Sequence, residues 1–167
     1  MEGLTILSAL ALIGLVIAVR AFADATRALF AQATLLVGSL GAVLTMTIHF
    51  VQLTAVRQLW QASQVADYRL VWPSMLFAAE YFAWDILIGL AMVCAGLSLP
   101  DVPTATSARR AFLAGGLLCL LGSAGPFSGW MVAQNAALFG YGVILPVASA
   151  LLARLFYATS SSASHPE

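Results

Sequence analysis

The chain has 167 residues, of which 62% are hydrophobic and only 8% are charged, and its formal net charge is zero. Soluble domains carry about 25% charged residues. The composition therefore excludes an ordinary water-soluble domain and predicts an integral membrane protein whose main partner is the lipid bilayer. The sequence contains no lysine, so it offers neither a basic patch for nucleic acid nor an amine for a lysine–imine cofactor.

Five apolar segments are long enough to cross a bilayer, which takes about 20 helical residues. They are 4–21, 30–56, 72–98, 111–128 and 131–157. The first segment resembles a secretory signal peptide, but no basic residue precedes its apolar run, so we interpret it as a retained span. The predicted fold is an all-α, five-helix transmembrane bundle that forms one domain, 1–158. A serine-rich tail, 159–167, is predicted to be disordered and cytoplasmic.

The positions of the arginines predict the orientation of this bundle. With the N-terminus outside, the basic residues on the inner side are Arg20, Arg27, Arg109, Arg110 and Arg154. Only Arg57 and Arg69 then lie on the outer side. Because short cytoplasmic loops are enriched in arginine and lysine, the sequence predicts an N-out, C-in topology. The expected location is the inner (plasma) membrane of a bacterium.

Two features of the connections and helices are also predicted. The segment 58–71 is the only sizeable outer connection, and its mixed polar and aromatic residues fit either an interfacial helix or a plain loop. Pro146 lacks the backbone N–H that would bond the carbonyl of Gly142, and this loss predicts a kink in the fifth span. A carbonyl freed in this way either lines a cavity or has no special role.

Glu80 and Asp85 lie inside the third apolar segment. Placing one charge at the centre of a membrane helix costs at least about 2.5 kcal/mol. A segment that holds two carboxylates therefore needs partners, a water-filled cleft or bound protons. These residues mark the predicted working centre of the chain.

Depth in the membrane suggests a partner for Glu80. His49 lies eight residues before Arg57, and Glu80 lies eight residues after Trp72. At 1.5 Å per residue, both side chains lie about 12 Å below the outer ends of their spans. If these two spans are antiparallel neighbours, His49 and Glu80 form a hydrogen bond or an ion pair. The alternative is that His49 bonds a backbone carbonyl or water.

Other polar and aromatic residues extend this cluster. Thr45, His49 and Gln52 share one face of the second span. On the third span, the arc of about 140° at 100° per residue that holds Glu80, Tyr81, Trp84 and Asp85 is too wide for a carboxylate dyad. At the start of the fifth span, Gln134 and Asn135 are placed to close the mouth of a cleft. The predicted ligand-binding or proton-relay residues are His49, Gln52, Glu80, Tyr81, Trp84, Asp85 and Asn135.

The predicted function is binding or transport of a small hydrophobic or cationic ligand in this cleft, with proton coupling as an option. Two alternatives stay open: an intramembrane acid–base enzyme acting on a lipid-like substrate, and an accessory subunit of a membrane complex. A homo-oligomer is also compatible with the sequence. Because His49 is the only histidine within the spans, bis-histidine haem ligation and a metal site are disfavoured. We therefore expect no cofactor.

Overall fold

The computed structural model describes residues 1–58 and 69–163, with side chains described as far as Tyr157. All regular structure in these ranges is helical. Five helices are long and apolar enough to cross a membrane, in agreement with the predicted fold class. They are α1 (Glu2–Phe22), α2 (Ala25–Val56), α3 (Met75–Ser98), α4 (Thr106–Ser128) and α5 (Met131–Tyr157).

The helix boundaries lie close to the predicted spans, with differences at polar ends. α4 begins at Thr106, before the predicted span, because a helix can include the arginines that an apolar pattern leaves out. The predicted connection 58–71 falls mostly on residues 59–68, which lie outside the described part of the chain. The last helical segment runs Leu145–Ala163, so its backbone continues into the serine-rich segment, and residues 164–167 are not described.

The centre of the bundle is a close contact between α3 and α4. A Cβ atom added to Gly116 would lie 2.6 Å from the carbonyl oxygen of Gly89. Such an approach of two helix backbones is possible only with glycine at the contact, as small residues permit in membrane helices. Phe112 and Ile88 are almost completely buried in the same core.

The outer helices of the bundle, α1 and α5, pack mainly on α2 and on α4, respectively. They meet each other where the rings of Phe22 and Phe156 pack edge to face, with ring centroids 5.1 Å apart. We call this side of the bundle the Phe22 end. At the same end, Arg27 donates a hydrogen bond to the carbonyl of Leu99 at 2.6 Å, which ties α2 to the residues after α3.

The opposite side, where α1 begins, is called the Glu2 end. Three helices contain π-helical turns rather than continuous α-helix, at Gln52–Val56 in α2, Phe82–Ile88 in α3 and Gly140–Ile144 in α5. The turn in α5 lies directly before the segment that contains Pro146, where the missing N–H predicts an irregularity. π-Helical turns are rare overall, but they occur often at functional sites. These turns therefore indicate the Glu2 end as a candidate functional region.

Candidate functional site

A row of charged side chains crosses the Glu2 end of the bundle. The Nδ1 atom of His49 contacts a carboxylate oxygen of Glu2, and its Nε2 atom lies 3.1 Å from Glu80 Oε1. The indole N–H of Trp84 donates to the same Glu80 oxygen at 2.7 Å. The imidazole of His49 is therefore held between two carboxylates, one from α1 and one from α3. We call Glu2, His49, Glu80 and Trp84 the charged cluster.

The contact between His49 and Glu80 confirms the pairing that equal depth predicts. Glu2 also contacts His49, although it is not among the residues that the sequence predicts for the site. Its position at the first residue of α1 brings it to the charged cluster, because α1 packs against α2 in the opposite direction. The depth argument does not predict this contact, because Glu2 precedes the first predicted span whereas His49 lies about 12 Å below the outer end of the second.

The cluster has a net negative charge in its ordinary ionisation states. Two carboxylates give −1 when His49 is protonated and −2 when it is neutral. Its side chains are sheltered, since His49 is 9% exposed and Glu80 13% exposed, while Glu2 is 32% exposed. The second oxygen of Glu80, Oε2, is buried and has no hydrogen-bond partner among the described residues. The cluster therefore keeps one carboxylate oxygen available to a donor or a cation.

A large cavity lies beside this cluster, with a volume of about 1010 Å³. Its walls come from α1, α3 and α5, and His49 of α2 contributes at one end. The polar and aromatic side chains in the lining are His49, Glu80, Tyr81, Trp84, Gln134, Tyr141, Phe77, Thr5, Ser8 and Ser149. Most of the remaining wall is aliphatic or glycine, so the cavity is apolar with a few polar groups at the Glu2 end.

Small residues leave room within this cavity. Gly14 of α1 and Gly142 of α5 both line it, and a Cβ atom added to either would meet no atom within 4 Å. On the Glu2 side of the contact between Phe22 and Phe156, the cavity separates α1 from α5. A ligand in it would lie between these two helices.

Asp85 forms a second polar pair, away from the charged cluster. It is completely buried, and Gln134 of α5 donates a hydrogen bond from Nε2 to its Oδ1 atom at 3.1 Å. Glu80 faces α2 while Asp85 faces α5, which agrees with the wide arc that argued against a carboxylate dyad. Gln134 lines the cavity, whereas Asp85 is not part of its lining.

The predicted site residues divide into two groups in the structure. His49, Glu80, Tyr81 and Trp84 line the cavity, and Asp85 contacts it through Gln134. Gln52 and Asn135 are not in the lining, and Asn135 is exposed on another face of α5. Both amides are predicted at the mouth of the cleft and only Asn135 among the site residues, whereas in the structure Gln134 lies in the lining. Hydropathy places two adjacent amides at one depth but does not decide which of them faces inward.

No group of three or more histidine, cysteine, aspartate or glutamate side chains in the described ranges is placed to hold a metal ion. The geometry of the charged cluster gives the reason. Glu2 and Glu80 contact opposite nitrogen atoms of one ring, so their oxygens cannot converge with that ring on a common point. The arrangement suits hydrogen bonding and proton exchange better than metal ligation.

Comparison of the chain with models of known protein families, with curated proteins and with solved structures gives no match. The function must therefore be argued from the site itself.

Proposed function

We propose that this protein binds a small hydrophobic cation in the cavity between α1 and α5 and moves it across the bilayer. The observation that carries the proposal is Glu80, which lines the cavity and whose buried Oε2 atom has no hydrogen-bond partner among the described residues. A carboxylate oxygen in an apolar site is a favourable position for a positive charge, because the attraction is weakly screened there.

The size and lining of the cavity support the same ligand class. Ligand pockets usually measure about 300–1,000 Å³ and are mostly apolar with a few polar groups, and this cavity is at the upper end of that range. The rings of Trp84, Tyr81 and Tyr141 line the same cavity as Glu80, and aromatic faces attract cations. No lysine or arginine among the described residues belongs to the lining, so His49 is the one described lining side chain that can carry a positive charge beside Glu80.

The proposed topology is N-out and C-in, within a bacterial plasma membrane. The arginines at the Phe22 end outnumber those at the Glu2 end, which supports a cytoplasmic Phe22 end. In this orientation the charged cluster lies in the outer half of the bilayer, and the cavity accepts its ligand from that side. Exclusive labelling from outside of a cysteine placed in the 101–105 segment would contradict this topology.

Binding of tetraphenylphosphonium, a hydrophobic cation, and tetraphenylborate, an anion of the same shape, tests the ligand class. We expect the protein in lipid nanodiscs, corrected for empty nanodiscs, to bind the cation and not the anion. Glu80→Gln removes the charge but keeps an acceptor for Trp84, and we expect it to weaken binding of the cation by about tenfold or more.

The matched control is Asp101→Asn, which removes a carboxylate at the Phe22 end, where Asp101 pairs with Arg109 at 2.8 Å. It should leave binding unchanged. Equal binding of cation and anion, or equal effects of the two substitutions, would contradict the proposal. Transport is tested separately by uptake of the cation into liposomes, where Glu80→Gln should abolish any pH-dependent component.

One observation favours a second candidate, an acid–base enzyme acting on a lipid-like substrate. An imidazole that has a carboxylate on one nitrogen and a free reaction partner on the other is a common catalytic arrangement. Here both nitrogens of His49 have carboxylate neighbours, so Glu80 would have to move aside for a substrate. Turnover of a lipid in nanodiscs without any gradient, lost in His49→Gln, would favour this enzyme over the binding protein.

A further inference from the structure

Behind the wall of the cavity, Asp85 and Gln134 form a pair that the charged cluster does not use. The hydrogen bond from Gln134 Nε2 to Asp85 Oδ1 leaves one oxygen on each group, Asp85 Oδ2 and Gln134 Oε1. Both oxygens are buried and have no hydrogen-bond partner among the described residues. Two acceptors without donors remain on two groups that already touch.

No cation in the described part of the chain is placed to neutralise Asp85. In the described part of the chain, the titratable groups that interact electrostatically with it are Tyr81 on its own helix, Cys119 on α4 and Tyr141 on α5. None of these can be positive, and the imidazole of His49 on α2 is engaged at both nitrogen atoms by Glu2 and Glu80.

An ionised carboxylate that is fully buried and unpaired in a membrane bundle is very costly. Burial of a neutral carboxylic acid costs much less, provided that its O–H donates to an acceptor. The unpartnered oxygen of Gln134 is such an acceptor, and the unpartnered oxygen of Asp85 is the natural position for the proton. One proton would therefore satisfy both oxygens and remove the buried charge.

We propose that Asp85 and Gln134 form a proton-binding site in which the protonated acid and the amide are joined by two hydrogen bonds. The amide donates from Nε2 to Oδ1, and the acid donates from Oδ2 to Oε1. Because Gln134 lines the cavity and Asp85 does not, the amide lies between the stored proton and the cavity. This site goes beyond the proposed ligand and does not depend on it.

Infrared spectroscopy of the full chain in nanodiscs at neutral pH tests the proposal. We expect a carboxylic acid C=O band, separate from the carboxylate bands, in the wild-type protein. Asp85→Asn should remove this band, while Glu80→Gln and the exposed control Asp101→Asn should leave it. Gln134→Leu should keep the band but move it to higher frequency, because the carbonyl loses the N–H bond.

Isotope labelling assigns the acid band without a substitution, so it also applies if Asp85→Asn does not fold. Incorporation of carboxyl-¹³C aspartate into the wild-type protein should shift the acid band to lower frequency, since heavier carbon slows the vibration. Absence of the band, a band that does not shift with labelled aspartate, or a band lost in Glu80→Gln and retained in Asp85→Asn would overturn the proposal.

Discussion

Two regions of the bundle solve the problem of helix packing in opposite ways. At the centre, glycines bring the backbones of α3 and α4 together, and at the Phe22 end the rings of Phe22 and Phe156 join α1 to α5. Towards the Glu2 end, α1 and α5 separate around a cavity, and buried polar groups replace apolar packing between them. The packed region and the open region share the same helices, so the difference comes from which residues face inward.

The comparison indicates where stability and function are concentrated. Hydrogen bonds between membrane helices contribute only about 0.6–2 kcal/mol each, and close apolar packing would hold the helices together at lower cost than buried carboxylates do. The cavity and the three sheltered acidic groups at one end of the bundle are therefore better explained by a function than by stability. We infer that the packed region stabilises the bundle and that the cavity and the charged cluster at the Glu2 end carry the function.

The largest contrast is expected from one substitution made at a packed glycine and at an open one. Gly116→Ala places a methyl group against the backbone of α3, where a Cβ atom would lie 2.6 Å from Gly89 O. The helices must separate, which should lower the free energy of unfolding by about 3 kcal/mol. Gly142→Ala meets open space and should cost nothing or stabilise slightly. Thermal unfolding of both variants in one detergent measures the contrast, and similar losses would contradict the division into a packed and an open region.

A smaller effect is expected at Asp85. Asp85→Leu leaves the amide donor of Gln134 buried without an acceptor and should lower the free energy of unfolding by about 2 kcal/mol. Asp85→Asn keeps an acceptor and should cost less. The double variant Asp85→Leu, Gln134→Leu removes both partners and should recover most of the loss. Equal melting temperatures for Asp85→Leu and Asp85→Asn would show that the hydrogen bond does not matter.

The contact between His49 and Glu80 should give a coupling energy of about 1 kcal/mol in a double-mutant cycle. His49→Ala and Glu80→Ala each break the same 3.1 Å contact, so their combined effect on stability should be smaller than the sum of the single effects. A cycle between His49→Ala and Asp101→Asn, at opposite ends, provides the control and should be additive. Additivity in both cycles would mean that His49 and Glu80 act independently.

The smallest effect is expected for the ion pair of Arg109 and Asp101 at the Phe22 end. Its atoms lie 2.8 Å apart, but the Asp101 side chain is 71% exposed, and solvent screening leaves little energy in such pairs. Asp101→Asn should change the free energy of unfolding by less than about 0.5 kcal/mol. If Asp101→Asn lowered the free energy of unfolding as much as Asp85→Leu does, burial would not distinguish functional from ordinary carboxylates in this chain.

The sequence predicts most of the helices and about half of the site. Hydropathy places the five spans because lipid demands long apolar helices, and helical rise places His49 level with Glu80. It does not predict that Glu2 joins His49, since that contact depends on which helix packs beside α2. It also cannot choose Gln134 over Asn135, because their inward or outward direction depends on the rotation of α5 about its axis.

The sequence predicts a cleft beside the polar residues, but it does not predict which glycines leave room for it. Gly14 and Gly142 are scattered glycines of a kind common in membrane helices, and nothing in the sequence distinguishes them from the packing residues Gly89 and Gly116. Only the distances between helices show that Gly14 and Gly142 face open space. The same distances show that Gly89 and Gly116 face a neighbouring helix.

Filling the cavity tests the central claim most directly. Gly14→Leu projects a side chain into the cavity, whereas Gly3→Leu makes the same change on the same helix outside the lining, and a Cβ atom meets nothing within 4 Å at either position. Equilibrium binding of tetraphenylphosphonium to both variants in nanodiscs, with thermal unfolding to show that they are equally folded, is the measurement. We predict that Gly14→Leu loses binding and Gly3→Leu keeps it; equal binding by the two folded variants would show that the cavity is not the ligand site.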